Sequence, residues 1–168
     1  MDEGRTRHAR GRGPCYRSTM ITQEPRPAEE RDVQDIDALL CSAQEPICLS
    51  EAFCAIENRP RRLERLQEKL AHDLLWVIRD RDGLAGLMIL EQDSSGQVAG
   101  IEYIVVAERM RKQHEIGPRL VLKAQALAGT LTAEERNGNS RKLLEKCGFR
   151  GKPWLPYLTW SRADWVPV

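Results

Sequence analysis

The sequence predicts an α+β domain in which antiparallel strands are flanked by helices. Three observations lead there. Two segments before residue 72 carry apolar residues at helical spacing, first Val33, Ile36, Leu39 and Leu40, then Leu63, Leu66 and Leu70. Three strand-like runs follow one another from Leu74 to Ala107, broken by polar turns. Beyond them a charged loop closes on Gly117, and a helix, a short strand and a second helix ending before Gly148 and Phe149 complete the order. That order suggests a pocket where a sheet ends against a helix N-terminus, a place where backbone N–H groups can hold a phosphate. At 168 residues the chain is long enough for one domain with a sizeable core and too short for two.

Residues 1–19 are rich in Arg and Gly and poor in apolar side chains, so they are expected to form a disordered arm ahead of a domain spanning 20–168. Met20 reads as a plausible start, with Ile21 to Pro27 as a first strand. Asp32 is the expected N-cap of the first helix. A second helical region is expected after Ser50, with a break near Pro60, where a proline in the first turn restarts a helix. Arg59, Arg61, Arg62 and Arg65 occupy its remaining faces, and a solvated basic surface is favoured over a contact with an acidic substrate or cofactor phosphate.

From Leu74 the pattern changes to strand. Leu74 to Ile78 and Leu84 to Leu90 flank Asp80 to Gly83, which predicts a hairpin. Residues 91–97 form a polar turn, and in Val98 to Ala107 the residues Ile101, Tyr103 and Val105 alternate with Glu102, Ile104 and Val106. The loop 108–115 is too polar for core. Ile116 to Leu127 reads as a largely apolar helix with Pro118 in its first turn. A strand near Thr130 to Ala133, a helix from Asn137 to about Cys147 with Gly148 as C-cap, and a strand at Leu158 to Ser161 close the chain.

Charge and cysteine usage exclude several functions. Charged residues make up 30% of the chain, yet the net charge is only +1, without the basic excess of a nucleic-acid binder. The arm holds five arginines against Asp2 and Glu3, a net +3 that leaves the rest at −2. An inert tail is favoured over a nucleic-acid or membrane-surface arm. No run approaches the roughly 20 apolar residues of a membrane span, and the N-terminus lacks a secretory core. A cytoplasmic protein with reduced, mostly buried cysteines is expected. Cys15, Cys41, Cys48, Cys54 and Cys147 form no C-x-x-C pair and the histidines are scattered, so no metal site is predicted.

The last helix carries the most specific signal. Asn137, Ser140, Leu143, Glu145, Lys146, Gly148 and Phe149 resemble the closing motif of the GNAT superfamily of acyl-CoA-dependent N-acetyltransferases, and the resemblance covers residues 20–162. Ile101 to Ala107, followed by a basic loop and Ile116-Gly117, is similar to that family's central strand and pyrophosphate loop. The resemblance implies a three-layer α/β/α domain with a mixed, mostly antiparallel, splayed sheet. It also implies acetyl-CoA as co-substrate and a primary amine, on a small molecule or a protein, as acceptor. Cofactor contacts are expected from Val105, Val106, Lys112, Gln113, His114, Glu115, Ile116, Gly117, Pro118, Asn137 and Ser140. Asn137 equally suits a helix cap.

An alkylamine is about 0.04% free base at pH 7, so a base or a water relay must take its proton. Glu102 is the candidate, and pairing with an arginine on a neighbouring strand is its structural alternative. Two departures from the family pattern stand out. Glu115 replaces the first loop glycine, adding bulk and negative charge near the phosphates, with Arg111, Lys112 and Arg119 available to offset it. Leu144 replaces the tyrosine that in many relatives protonates the leaving thiolate. A thiol pKa near 8.5 lets thiolate leave without strong acid help, and Tyr103, Tyr157 or Cys147 could substitute. These departures motivate a second reading, a degenerate acyl-CoA-binding or regulatory module with little turnover. Trp154, Trp160 and Trp165 could form a patch that pairs subunits, or could be buried in the same domain.

Overall fold

In the computed structural model the described residues are 24–42, 58–112, 115–135 and 138–164. The expected arm, the segment after Ser50, Gln113, His114, Asn137 and Trp165 lie outside them. The elements are β1 (Arg26–Pro27), α1 (Val33–Ser42), α2 (Arg59–Ala71), β2 (Leu75–Asp80), β3 (Gly83–Gln92), β4 (Val98–Val106), α3 (Ile116–Leu127), β5 (Thr130–Glu134), α4 (Gly138–Lys146) and β6 (Tyr157–Ser161). The strands form one sheet in chain order. Every neighbouring pair is antiparallel except β4 and β5, which run parallel and are joined by the α3 crossover.

Two cores lie on opposite faces of the sheet, which makes the domain three-layered. On one face α1 and α2 bring Val33, Ile36, Leu40 and Leu66 against Leu75, Val77, Leu87, Ile89, Tyr103 and Val105. On the other, Ile116, Leu120, Val121, Ala124 and Leu144 from α3 and α4 meet Trp76, Ile78, Met88, Leu90, Ile101, Leu131, Leu158 and Trp160. Burial of this apolar surface is the main stabilising term. Among the described residues, α1 and α2 cover strands β1 to β4 only; on their side of β5 and β6, Thr130, Thr132, Tyr157 and Thr159 are exposed.

Strict alternation along β4 would put Ile101 and Tyr103 on one face. They lie on opposite faces. The reason is a bulge: Ile89 faces Tyr103 and Leu90 faces Ile101, leaving Glu102 as the extra residue. The side chain of Glu102 thereby joins that of Tyr103 on the α2 side.

Ion pairs hold the α1 and α2 layer. Asp32 is fully buried, and it does not cap α1 as expected. It sits in a 3₁₀ turn, accepts the Glu29 N–H at 2.9 Å, and binds Arg26 at 2.8 and 3.0 Å and Arg79 at 2.6 Å. Of the arginines expected on a solvated face of α2, Arg59, Arg61 and Arg65 are exposed, and the expectation is corrected at Arg62. Arg62 is 1% exposed and donates to Asp37 Oδ1 at 2.5 Å, and Arg59 reaches Asp37 Oδ2 at 3.0 Å. Such pairs cost desolvation and chiefly fix the helix register.

The hairpin, the α3 boundaries and the last helix follow expectation. Gly148 adopts φ +86°, and the N–H groups of Gly148 and Phe149 cap Glu145 O and Leu144 O at 3.0 Å each. The described cysteines depart from it: Cys41 is exposed and Cys147 half-buried. Trp160 is buried, whereas Trp154 is 75% exposed.

Candidate functional site

The parallel strands β4 and β5 pair only at Gly100 with Thr132 and Ile101 with Ala133. Beyond that point they part, and β4 continues to Val106 with β3 as its one partner strand. The direction of the freed groups follows from the antiparallel ladder. Ala107 N–H donates to Ala85 O at 2.9 Å, so the narrow pairs recur at Val105 with Leu87, and the backbone groups of Ile104 and Val106 point into the opening. The amide of Val106 thus points into the opening, while that of Val105 turns to β3.

The opening lies at the carboxyl ends of two parallel strands, where ligands bind in open sheets of this kind. The N-termini of α3 and α4, which follow those strands in the chain, stand at the same end. Close packing sets the α3 N-terminus on the sheet. A Cβ on Gly86, the cross-strand partner of Val106, would lie 2.5 Å from Ile116 Cγ2, and one on Gly117 would lie 3.0 Å from Leu143 Cδ2. Gly117 therefore serves the contact between α3 and α4 in addition to any role in the loop.

The first turn of α3 has few donors to spare. Pro118 has no N–H, and the Arg119 N–H bonds Glu115 O at 3.1 Å. Ile116 and Gly117 stand ahead of the helical ladder, so their amides remain to be satisfied from outside it. The Glu115 residue is exposed and its side chain forms no helix cap. Arg111 and Lys112 are exposed, and Ser140 is half-buried in the first turn of α4.

Glu102 sits at the first position past the last β4/β5 pair. Its side chain is 6% exposed and carries two cations from α2. Arg65 Nη2 donates to Oε1, and Lys69 Nζ stands 2.7 Å from Oε2. The Lys69 contact is an ion pair without hydrogen-bond alignment, since Oε2 accepts no hydrogen bond and Lys69 donates to Leu90 O, beside the bulge, at 2.8 Å. The arginine partner foreseen for Glu102 thus comes from a helix and not from a neighbouring strand. Arg65 and Lys69 were missed as site residues, although their i, i+4 spacing marks them as one face of α2.

The possible replacements for the missing acid are placed as follows. Leu144 is 4% exposed, packed in the core with Phe149. Burial pushes the Cys147 thiol up to about 11, which makes it a poor proton donor near neutrality. Tyr103 is buried under α1 and α2, and Tyr157 is exposed on the edge strand, paired with Glu134. A surface hollow of about 550 Å³, lined by Asp93, Val98, Gly129, Thr130 and Arg162 among others, lies at the far end of the β4/β5 pair, away from this opening. No described helix is long and apolar enough to cross a membrane.

Comparison with known proteins bears on this geometry. No curated protein sequence matches the chain. Among solved structures, the chain is similar to a GNAT-family acetyltransferase from Streptococcus agalactiae 2603, at 12% identity and a TM-score of 0.65 over 83% of this chain and 95% of that one. It is also similar to an N-acetyltransferase from Staphylococcus aureus Mu50, at 18% identity and a TM-score of 0.58 over 82% and 96% of the two chains. A ribosomal-protein-S5-alanine acetyltransferase from Vibrio fischeri matches at 19% identity and a TM-score of 0.54 over 85% and 94%. These likenesses establish the fold. The sequence profile of the Acetyltransferase (GNAT) family matches residues 42–149, a span that contains the bulged strand β4, the opening beside it and the helices α3 and α4. The chain belongs to the GNAT family of acetyltransferases.

Proposed function

We propose that the protein transfers an acetyl group from acetyl-CoA to a primary amine. The observation that carries this reading is the open edge of β4, where pairing to β5 stops after Ile101 and the backbone groups of Ile104 and Val106 face a gap beside the α3 N-terminus. An extended pantetheine arm suits such an edge, because it can accept and donate main-chain hydrogen bonds as a strand would. The Val106 amide would polarise the thioester carbonyl. The amides of Ile116 and Gly117, with Arg111 and Lys112, would hold the diphosphate, with Ser140, and Asn137 outside the described residues, further along the cofactor.

The thioester supplies an activated acyl carbon with a good leaving group. The carbon–nitrogen bond forms as the carbon–sulfur bond breaks, the electron pair leaves on sulfur, and the amine gives up a proton. Glu102 stands at the point where the sheet opens, on the face that the described helices leave uncovered beyond β4. The acceptor reaches the opening from that face, since α3 and α4 cover the other. Glu102 holds the ammonium and takes its proton, directly or through water.

Leu144 in the core and the two cations on Glu102 favour a second reading, an acyl-CoA-binding module with little turnover. A thermal-shift titration with acetyl-CoA tests both readings, because a ligand of the native state raises Tm by mass action. No shift at millimolar ligand would overturn both. Thiol release over a panel of amines then separates them: release that falls at least about tenfold in Glu102→Gln, with the acetyl-CoA shift retained, supports the enzyme. Binding without release supports the module.

A further inference from the structure

Resting on the binding of acetyl-CoA, which both readings share, we propose that Arg109 is a positioning residue for the diphosphate. Anchored to Asp80 on the β2/β3 hairpin, it sets where Arg111 and Lys112 can reach. Arg109 lies in the 3₁₀ turn Glu108–Met110 that follows β4. Its guanidinium donates to both carboxylate oxygens of Asp80, at 2.5 and 3.0 Å, and to Leu84 O at 3.0 Å. Asp80 ends β2 and Leu84 lies at the start of β3, so one side chain grips both strands of the hairpin.

The segment after β4 needs such an anchor. Among the described residues, the bond from Ala107 N–H to Ala85 O is the last that ties this backbone to β3. Past it the backbone bonds within its own turn, Met110 N–H to Ala107 O at 2.8 Å and Arg111 N–H to Glu108 O at 3.2 Å. Met110, 4% exposed, ties the turn to the core shared with α3 and α4, and Arg109 ties it to the hairpin. Arg111 and Lys112 come two and three residues later, so at about 3.8 Å per step they stay within about 11 Å of Arg109. The end of β4 and the start of α3 are fixed by the sheet, through Ala85 and Gly86. Arg109 fixes the stretch between them that carries the cations.

From sequence alone Arg109 reads as a phosphate ligand, being basic and close to the loop. Its bonds argue otherwise. Both terminal nitrogens are taken by the hairpin, and Asp80 is oriented to hold them, since its Oδ1 also accepts the Asp82 N–H at 2.9 Å. Burial opposes the charged form of Asp80, yet hydrogen bonds from Arg109 and the Asp82 amide outweigh it and keep the carboxyl below the ordinary carboxylate range. The neighbouring charges Arg81 and Asp82 pair with each other at 3.5 Å and leave the fork intact. With the Arg109 side chain 37% exposed and that of Asp80 16%, the pair adds little to stability, and its consequence is positional. Arg suits the role better than Lys, because its planar fork holds a carboxylate through two hydrogen bonds.

An anchor and a phosphate ligand differ in sign at Asp80. If Arg109 touched phosphate, Asp80→Asn would release it and remove a negative charge, and acetyl-CoA would bind more tightly. If Arg109 is an anchor, the same change loosens the segment and binding weakens. Calorimetry is expected to show acetyl-CoA weakened about 3–10-fold in both Arg109→Met and Asp80→Asn, up to the worth of one hydrogen bond to a charged group. The double variant should be no weaker than the worse single, because the two residues act as a unit, and Arg109→Lys should restore part of the loss. S-acetylpantetheine lacks the diphosphate, so its thermal shift at millimolar concentration should be the same in every variant. Tighter or unchanged acetyl-CoA binding in Asp80→Asn, additive losses in the double variant, or an equal loss of both ligands overturns the proposal. Should Arg109→Met fail to fold, Arg109→Lys, which keeps the charge without the fork, reads the same comparison. Absence of an acetyl-CoA shift in the unmodified protein overturns the underlying reading instead.

Discussion

Gly86 and Ile116 approach so closely that a single added carbon on the glycine would stand 2.5 Å from Ile116 Cγ2. Ile116 has no exposed surface and Gly86 pairs with Val106, so this contact fixes the α3 N-terminus against the open edge of β4. Gly86→Ala is expected to cost about 1–3 kcal/mol by overpacking and to lower Tm by about 2–4 °C per kcal/mol. It should also reduce the acetyl-CoA thermal shift, because the helix start moves off the sheet. Ile116→Ala removes the opposing methyl, so the double variant should be less destabilised than the two single effects added together. Strict additivity in a thermal or urea melt would show that the two residues do not couple.

Asp32 should govern the acid limb of stability. Full burial of its carboxyl works against the charged form, but hydrogen bonds from Arg26, the Glu29 amide and Arg79 outweigh it and hold the group below the ordinary carboxylate range. A lowered folded pKa means the contribution is complete above the unfolded value of about 3.9 and is lost as pH falls through the folded value. Asp32→Asn is expected to cost about 3 kcal/mol at pH 7. That is the low end for a buried pair, since the Arg26 and Arg79 side chains keep 31% and 26% of their surface in water. The gap between variant and parent should narrow on acidification. Melts from pH 7 to pH 3 that stay parallel would contradict this.

Most of the sheet was legible because its signals are local. Asp80 to Gly83 between two apolar runs dictates a hairpin, and Gly148 after the last helical turn dictates a cap, whatever the rest of the chain does. The position of Glu102 was legible only to within one residue's facing. A bulge is a property of two strands together, and nothing between Val98 and Val106 marks which residue is the extra one, so the alternation rule assigned Ile101 to the wrong layer. Arg62 was misread for a related reason. An arginine reads as surface until a carboxylate distant in sequence, here Asp37, is brought beside it.

Cys147 offers a check on the core around the missing acid. Burial raises its thiol to about 11, whereas Cys41 is exposed. Only thiolate alkylates, so brief iodoacetamide treatment of the native protein at pH 8 should modify Cys41 at least about ten times more than Cys147, read by peptide mass mapping. A thiol raised above its unfolded value adds stability that is intact below about pH 8.5 and lost as pH climbs toward the folded value. Cys147→Ala should therefore flatten the alkaline limb of stability and leave any thiol release unchanged. Comparable labelling of both cysteines would mean that the segment after α4 opens readily.

Glu115 bears directly on the phosphate end of the site. It stands at the position before α3, exposed, with no side-chain cap of its own, so its carboxylate faces solvent beside the amides of Ile116 and Gly117. Glu115→Gly removes a like charge from the neighbourhood of a diphosphate and leaves a residue well tolerated at a helix start. Acetyl-CoA is expected to bind about 2–5-fold more tightly at low salt, the worth of one charge at a helix N-terminus. The gain should fade toward 1 M salt, where the screening length falls to about 3 Å. The unliganded variant should lose about 0.3–1 kcal/mol, because an acidic group near a helix N-terminus stabilises the dipole. Stability and affinity thus move in opposite directions, a signature that a merely structural role for Glu115 cannot produce. Calorimetric titration at two salt concentrations, with a melt of the free protein, reads both, and unchanged or weaker binding at low salt would place the diphosphate away from α3.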